Sequence, residues 1–129
     1  MLQEKTKYEF RSWLEDFDKG ELAKQYSLQG IEEIFKYLEG LQDQGDAIIK
    51  DLSPTDIRMI FNEYNNLDEI LFDECQYIKE DIEGIDKKGL INDWLGRESD
   101  SAMNGRNGEL IEVNQQDKTN YIIASWINH

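Results

Sequence analysis

The sequence predicts an α+β fold in which three to five helices surround a central acidic amphipathic helix, with a β-hairpin at the C-terminus. Residues 53–83 carry the longest helical apolar periodicity in the chain, whereas residues 109–127 are rich in β-branched and aromatic residues. The chain has 129 residues and a hydrophobic content of 39%, enough for one modest core. We therefore expect residues 1–129 to form a single globular domain.

The central helix is predicted to begin at Ser53. The Ser53 side chain can cap the helix, Pro54 fits its first turn, and Asp56 completes a capping box. Apolar residues then recur at steps of mostly three and four, and a thinner stripe lies opposite, so we expect other elements to pack on both sides. The main stripe comprises Ile57, Ile60, Phe61, Tyr64, Leu67, Leu71, Phe72, Cys75, Ile78 and Ile82.

Asn65 and Asn66 leave an alternative open in this segment. Asparagine prefers caps and turns to helix interiors, and Asn66 with Glu69 three residues later could cap a new helix. Two shorter helices would then meet at this point. The apolar spacing continues across the two asparagines, which favours one helix.

Shorter elements are predicted on either side. Thr6 with Glu9 and, later, Ser27 are expected to cap two N-terminal helices. Residues 90–95 suit a brief helix closed by Gly96, and the Gly-, Asn- and Ser-rich residues 97–108 suit an exposed loop.

A C-terminal hairpin is predicted from strands at residues 109–113 and 119–127, separated by a polar turn. Two strands alone are only marginally stable. The hairpin must therefore pack on the helices or recruit a third strand, from elsewhere in the chain or from a second copy.

Charge is the strongest functional indication in the composition. The chain has 14 basic and 28 acidic residues, a formal charge of −14. Such a surface repels nucleic acids and anionic membranes, so direct binding to either is not expected. The expected partners are basic proteins or cations, and the alternative is that the charge only keeps an acidic domain well solvated. The chain has no apolar run typical of a signal peptide or a membrane span, which favours the cytoplasm.

No motif predicts a cofactor, metal or catalytic site. With Cys75 and His129 as the only cysteine and histidine, a zinc site or Cys–His catalysis within one chain is excluded, and Cys75 is expected to be a buried apolar residue. A calcium-loop pattern beginning at Asp16 fails at its sixth and twelfth positions, where Glu21 and Ser27 stand. Chemistry, if present, would be sought at acid pairs such as Asp68 with Asp73, or at the loop residues Arg97, Ser99, Asp100, Ser101 and Arg106.

The densest acidic segment is residues 63–86, with nine acids against the single base Lys79. In one helix these residues would span roughly 36 Å, about one net charge per 4.5 Å, near the spacing of about 3.4 Å along a nucleic-acid strand. To imitate a duplex, the helix would need the acids Glu32, Glu33, Glu39 and Asp43 beside it, or a dimer partner. The candidate partner-binding residues are Glu63, Asp68, Glu69, Asp73, Glu74, Glu80, Asp81 and Glu83.

In size and charge the chain resembles small acidic proteins that mimic DNA, such as the antirestriction and anti-CRISPR inhibitors of phages and mobile elements. The resemblance implies a non-enzymatic inhibitor that occupies the basic nucleic-acid site of a bacterial defence nuclease. Two alternatives remain open: an immunity protein or antitoxin that neutralises a basic nuclease toxin, and a small hydrolase that relies on Asp and Glu.

Overall fold

A computed structural model describes residues 6–45, 49, 51–101 and 108–126. Helices and strands are mixed along the chain, which confirms the α+β class. The elements are α1 (Lys7–Glu15), α2 (Leu28–Asp43), α3 (Pro54–Ile60), β1 (Phe61–Tyr64), α4 (Leu67–Asp73), α5 (Lys79–Ile82), α6 (Lys87–Ser101), β2 (Glu109–Asn114) and β3 (Thr119–Ala124), with two short 3-10 turns, Phe17–Gly20 and Ala23–Gln25, between α1 and α2.

The three strands form one antiparallel sheet in the order β1-β3-β2. Strands β2 and β3 pair from Glu109 opposite Ala124 to Asn114 opposite Thr119, so the predicted hairpin is confirmed. The third strand comes from this chain, because β1 pairs with the other side of β3 from Phe61 opposite Ala124 to Tyr64 opposite Tyr121.

The single central helix predicted over residues 54–83 is wrong. Helix α3 begins with the predicted capping box of Ser53 and Asp56, but Phe61 is already extended, at φ −112° and ψ 130°. All four residues of β1 pair with β3, and this backbone pairing outweighs the helical spacing of the apolar residues. A new helix, α4, starts after Asn66, whose side chain accepts the backbone N–H of Glu69 at 2.9 Å, as in the alternative.

The end of the brief helix predicted at residues 90–95 also needs correction. Helix α6 begins after Asp86, whose carboxylate accepts the backbone N–H of Gly89, and continues through Gly96 to Ser101. Residues 97–101 are therefore helical, not part of a loop. Of the remainder of the predicted loop, residues 102–107 lie outside the described residues, and Gly108 directly precedes β2.

The sheet lies between two layers of helices. Side chains that alternate along β3 reach opposite faces, and Ile122 and Ala124 belong to one hydrophobic cluster whereas Ile123 belongs to another. The first cluster adds buried residues of α1, α2 and α3; the second adds Ile70, Leu71, Ile82, Ile91 and Leu95 from α4, α5 and α6. None of the helices in these described parts of the chain is long and apolar enough to cross a membrane.

Candidate partner-binding surface

The first predicted partner-binding acid, Glu63, is bonded inside the fold. Its carboxylate accepts hydrogen bonds from the backbone N–H of Ser27 at 2.9 Å, from the Ser27 hydroxyl at 2.7 Å and from the side-chain amide of Asn120 at 2.7 Å. Ser27 is the cap of α2, so this negative charge also lies at the positive end of a helix dipole. Glu63 thus joins β1 to α2 and β3, and both of its oxygens are engaged.

Gly30 makes room for this carboxylate in the first turn of α2. Its backbone N–H donates to the Ser27 hydroxyl at 2.9 Å. A Cβ at Gly30 would lie only 2.9 Å from the carboxyl carbon of Glu63 and closer still to one oxygen. The bonds of Glu63 to Ser27 therefore depend on a residue without a side chain at position 30.

Three further predicted acids also have partners within the fold. Asp68 forms an ion pair with Lys87 at 2.6 Å, which links α4 to α6. The Glu69 carboxylate accepts a hydrogen bond from the backbone N–H of Asn65 at 3.3 Å and so bonds the residue before the Asn66 cap to the first turn of α4. Glu74 accepts the phenol of Tyr64 at 2.7 Å.

The pKa values of two phenols, the buried Tyr26 and the half-buried Tyr64, are raised in part by these carboxylates. Burial, followed by the hydrogen bond to Glu74, raises the pKa of Tyr64 well above its usual range. Burial, followed by the negative charge of Glu63, raises the pKa of Tyr26, whose hydroxyl donates to the carbonyl of Phe61 at 2.7 Å. Both phenols therefore stay protonated as donors at neutral pH.

The other four predicted acids are exposed. Asp73 is the last residue of α4, Glu80 and Asp81 lie in α5, and Glu83 follows α5 directly. None of them is in an ion pair with another described residue. Lys79 is the only base from residue 69 to residue 86, so these charges have little compensation nearby.

Three large apolar side chains are exposed in the same segment. Phe72, Ile78 and Ile85 are 40%, 58% and 45% exposed, although the helical spacing places Phe72 and Ile78 on a buried stripe. The break after α4 turns Ile78 outward, because the chain folds back there and the N–H of Tyr77 bonds to the carbonyl of Leu71 at 2.9 Å. We call these seven exposed residues the acidic–apolar surface: Phe72, Asp73, Ile78, Glu80, Asp81, Glu83 and Ile85.

The acids of α2 do not extend this surface. Helix α2 packs into the first hydrophobic cluster, whereas α4 and α5 pack into the second, so the sheet separates Glu39 and Asp43 from α5. Glu32 pairs with Lys7 at 3.8 Å, and Glu33 pairs with Lys36. The straight row of charges expected for one long helix is absent, because residues 63–86 are divided among β1, α4, α5 and the turns between them.

The other candidate residues are not brought together into one site in the part of the chain that the structure describes. Cys75 is half-buried against the second cluster, not fully buried as predicted. Side chains of Ser99, Asp100 and Ser101, and all of Arg106 and His129, lie outside what the structure describes. Within residues 6–45, 49, 51–101 and 108–126, no three His, Cys, Asp or Glu side chains are close enough to hold a metal ion.

No protein family model, no curated protein and no solved structure matches this chain.

Proposed function

We propose that the protein is a non-enzymatic binding protein whose acidic–apolar surface occupies the basic site of a nucleic-acid-binding protein, as an inhibitor would. One observation carries the proposal: four exposed acids without an ion-pair partner among the described residues share a short segment with three exposed apolar side chains. Single exposed apolar residues are ordinary, but three within 14 residues beside uncompensated acids are typical of a docking surface.

The charges favour a basic partner. A protein of net charge −14 attracts positive surfaces over several ångströms, and its exposed acids speed encounter with a cleft lined by Lys and Arg. Sites that bind phosphates concentrate such charges. A nucleic-acid-binding protein is therefore the class of partner that this surface fits best.

The apolar residues supply what charge alone does not. Exposed ion pairs contribute little to affinity in physiological salt, whereas buried aromatic and aliphatic anchors dominate most interfaces. Phe72, Ile78 and Ile85 would be buried on contact and would hold the partner after electrostatic encounter. The partner's site should accordingly offer apolar contacts beside its basic residues.

A capture experiment tests the proposal. The immobilised protein is exposed to a bacterial lysate, retained proteins are eluted with duplex DNA, and the eluate is quantified by mass spectrometry. A variant with Asp73, Glu80, Asp81 and Glu83 changed to Lys should lose the proteins that DNA elutes from the wild type. The matched control changes four exposed acids elsewhere to Lys, namely Asp16, Glu39, Asp43 and Asp51, and should retain them.

Both variants change the charge by the same amount, so their difference isolates position from net charge. Equal losses in both would mean that only overall charge matters, and retention by both would leave the acidic–apolar surface without a role. Circular dichroism of each variant verifies that the fold is intact. Where a captured protein is a nuclease, its DNA cleavage should fall as the wild-type protein is added.

A further inference from the structure

Strand β2 forms one edge of the sheet, and alternate backbone groups along it point away from β3. The N–H of Gln115 bonds to the carbonyl of Lys118 at 2.8 Å, so Gln115 and Lys118 are the first hydrogen-bonded pair of the hairpin. Hydrogen-bonded and non-hydrogen-bonded pairs alternate along the ladder, so the backbone groups of Ile111 and Val113 bond to β3. The N–H and C=O groups of Leu110 and Glu112 point outward.

The other side of β3 agrees with this alternation. The N–H of Ser125 donates to the carbonyl of Ile60 at 2.8 Å, so the odd-numbered residues of β3 bond toward β1 and the even-numbered residues bond toward β2. Among the described residues, no backbone hydrogen bond outside the ladder reaches Leu110 or Glu112. An edge of this kind is a template for one more strand.

A groove of about 390 Å³ runs beside this edge, between α2 and β2. One wall is Tyr37, whose hydroxyl accepts a hydrogen bond from the indole N–H of Trp126 at 3.0 Å. Its ring also packs nearly perpendicular to the ring of Phe61, with the ring centroids 5.7 Å apart, and these two contacts hold Tyr37 in place. The groove is lined by Glu33, Lys36, Tyr37, Glu109, Leu110, Ile111 and Glu112. Alternate side chains of a strand added at β2 would point toward this groove, since successive side chains of a strand face opposite sides of the sheet.

We propose that the β2 edge and this groove bind an extended basic peptide segment of a partner protein by strand addition. Backbone hydrogen bonds to Leu110 and Glu112 would fix the register, and the fixed wall of Tyr37 would receive alternate side chains. This surface is distinct from the acidic–apolar surface, because it borders α2 on the opposite face of the sheet.

Charge decides between the possible occupants. Of the acidic residues that line the groove, Glu33 pairs with Lys36, which also lines it, and Glu112 pairs with Lys88 of α6, so the negative charge left for an occupant comes from Glu109. Glu109 is exposed and in no ion pair with another described residue. A second copy would bring another charge of −14 against this edge, whereas Lys or Arg residues in an extended peptide would meet complementary charge.

The first test uses a labelled peptide of four alternating Lys-Val repeats and the full-length protein. Two isomers carry N-methyl groups on either the lysine or the valine nitrogens, so that each loses the donors along one side of an extended chain. One isomer should bind at least about tenfold more weakly than the unmodified peptide, and the other should stay within about threefold of it. Equal binding by both isomers, or no binding by any of the peptides, would overturn strand addition.

Amide hydrogen exchange then locates the peptide. Bound peptide should slow exchange at Leu110 and Glu112 by about tenfold or more, whereas Ile111 and Val113, already bonded to β3, should change little. Unchanged exchange at the two outward amides would also overturn the proposal.

The lysine variants of Proposed function separate this edge from the acidic–apolar surface. Peptide affinity should fall no further when Asp73, Glu80, Asp81 and Glu83 are changed to Lys than when Asp16, Glu39, Asp43 and Asp51 are changed to Lys. A selective loss in the first variant would assign the peptide to the acidic–apolar surface and overturn strand addition at β2. Failure of the capture experiment alone would leave binding at the edge unaffected.

Discussion

The side-chain amide of Asn120 donates to the carboxylate of Glu63 at 2.7 Å, and this bond ties β3 to β1 and, through Glu63, to the start of α2. Asn120 is the one buried polar residue of the described core, only 6% exposed. The oxygen of its side-chain amide has no hydrogen-bond partner among the described residues. Its amide group therefore depends on Glu63, because a buried donor without an acceptor costs far more than an exposed one.

Replacing Glu63 should unfold the protein more easily. Glu63→Ala leaves the Asn120 amide and the Ser27 N–H without their acceptor, so we expect the free energy of unfolding to fall by about 2–4 kcal/mol. Urea denaturation measures this. Asp81→Ala, an exposed acid of α5, should change it by no more than about 0.5 kcal/mol, and a similarly small effect at Glu63 would refute its structural role.

A side chain at Gly30 should act through Glu63. Alanine normally stabilises a helix relative to glycine by up to about 1 kcal/mol, and Gly40→Ala in the same helix, where a Cβ meets no atom within 4 Å, should show that gain. Gly30→Ala should instead destabilise, because its Cβ would displace the Glu63 carboxylate.

A double-mutant cycle makes the second prediction specific. In a Glu63→Ala background the carboxylate is gone and the nearest remaining atom to the added Cβ is the Ser27 hydroxyl oxygen at 3.0 Å, so Gly30→Ala should destabilise much less, with a coupling of about 1–3 kcal/mol by urea denaturation. If the two substitutions add without coupling, the close approach of Gly30 to Glu63 has no energetic consequence.

Local chemistry explains which elements are predictable from the sequence. The caps at Thr6, Ser27 and Ser53, each with its backbone partner three residues on, are short-range features and are confirmed. The hairpin is equally local, since its strands are joined by a short polar turn. In contrast, β1 pairs with residues about 60 positions later, and no window of sequence around Phe61 contains that pairing.

The break at β1 also explains the changed acidic site. Because residues 61–64 are extended and α4 already ends at Asp73, the apolar residues no longer share one helical face, and Phe72 and Ile78 are exposed. Glu63 moves from a predicted outer row of acids to a position beside Ser27, which a sequence pattern cannot indicate because the contact joins distant elements. Two features pointed toward the true structure: the Asn66 cap, and the need of the hairpin for a third strand.

Alkaline pH should destabilise the fold through the phenols of Tyr26 and Tyr64. The pKa values of Tyr26 and Tyr64 are raised by burial above the unfolded value of about 10. Their contribution to stability is fully present below that value and is lost as pH rises toward the folded values, because the unfolded chain then binds fewer protons than the folded chain. Urea denaturation between about pH 9 and pH 11 should show a steep fall in the free energy of unfolding.

Tyr64→Phe provides the control for this pH dependence. The variant loses the hydrogen bond to Glu74 and should be less stable at neutral pH, yet its stability should fall less steeply above about pH 10. Tyr8→Phe, at a 68% exposed position, should leave the slope of the wild type unchanged. Identical slopes in all three proteins would mean that Tyr64 releases its proton at the same pH in the folded and unfolded chains.

The acidic and apolar parts of the proposed surface should separate in their dependence on salt. In one variant, Phe72, Ile78 and Ile85 are changed together to Ser. We expect its affinity for a partner identified in the capture experiment to fall by about 10- to 100-fold. The salt dependence of that affinity should stay unchanged, because apolar contacts are not screened by ions. The lysine variant of Asp73, Glu80, Asp81 and Glu83 should instead reduce or reverse the salt dependence, since it removes the charges that salt screens. Serine at three exposed apolar positions elsewhere, Tyr8, Leu28 and Met59, should leave both quantities unchanged when measured by calorimetry across a range of salt concentrations. If the apolar variant binds as tightly as the wild type, attraction is purely electrostatic, and the exposed side chains of α4 and α5 have no part in the contact.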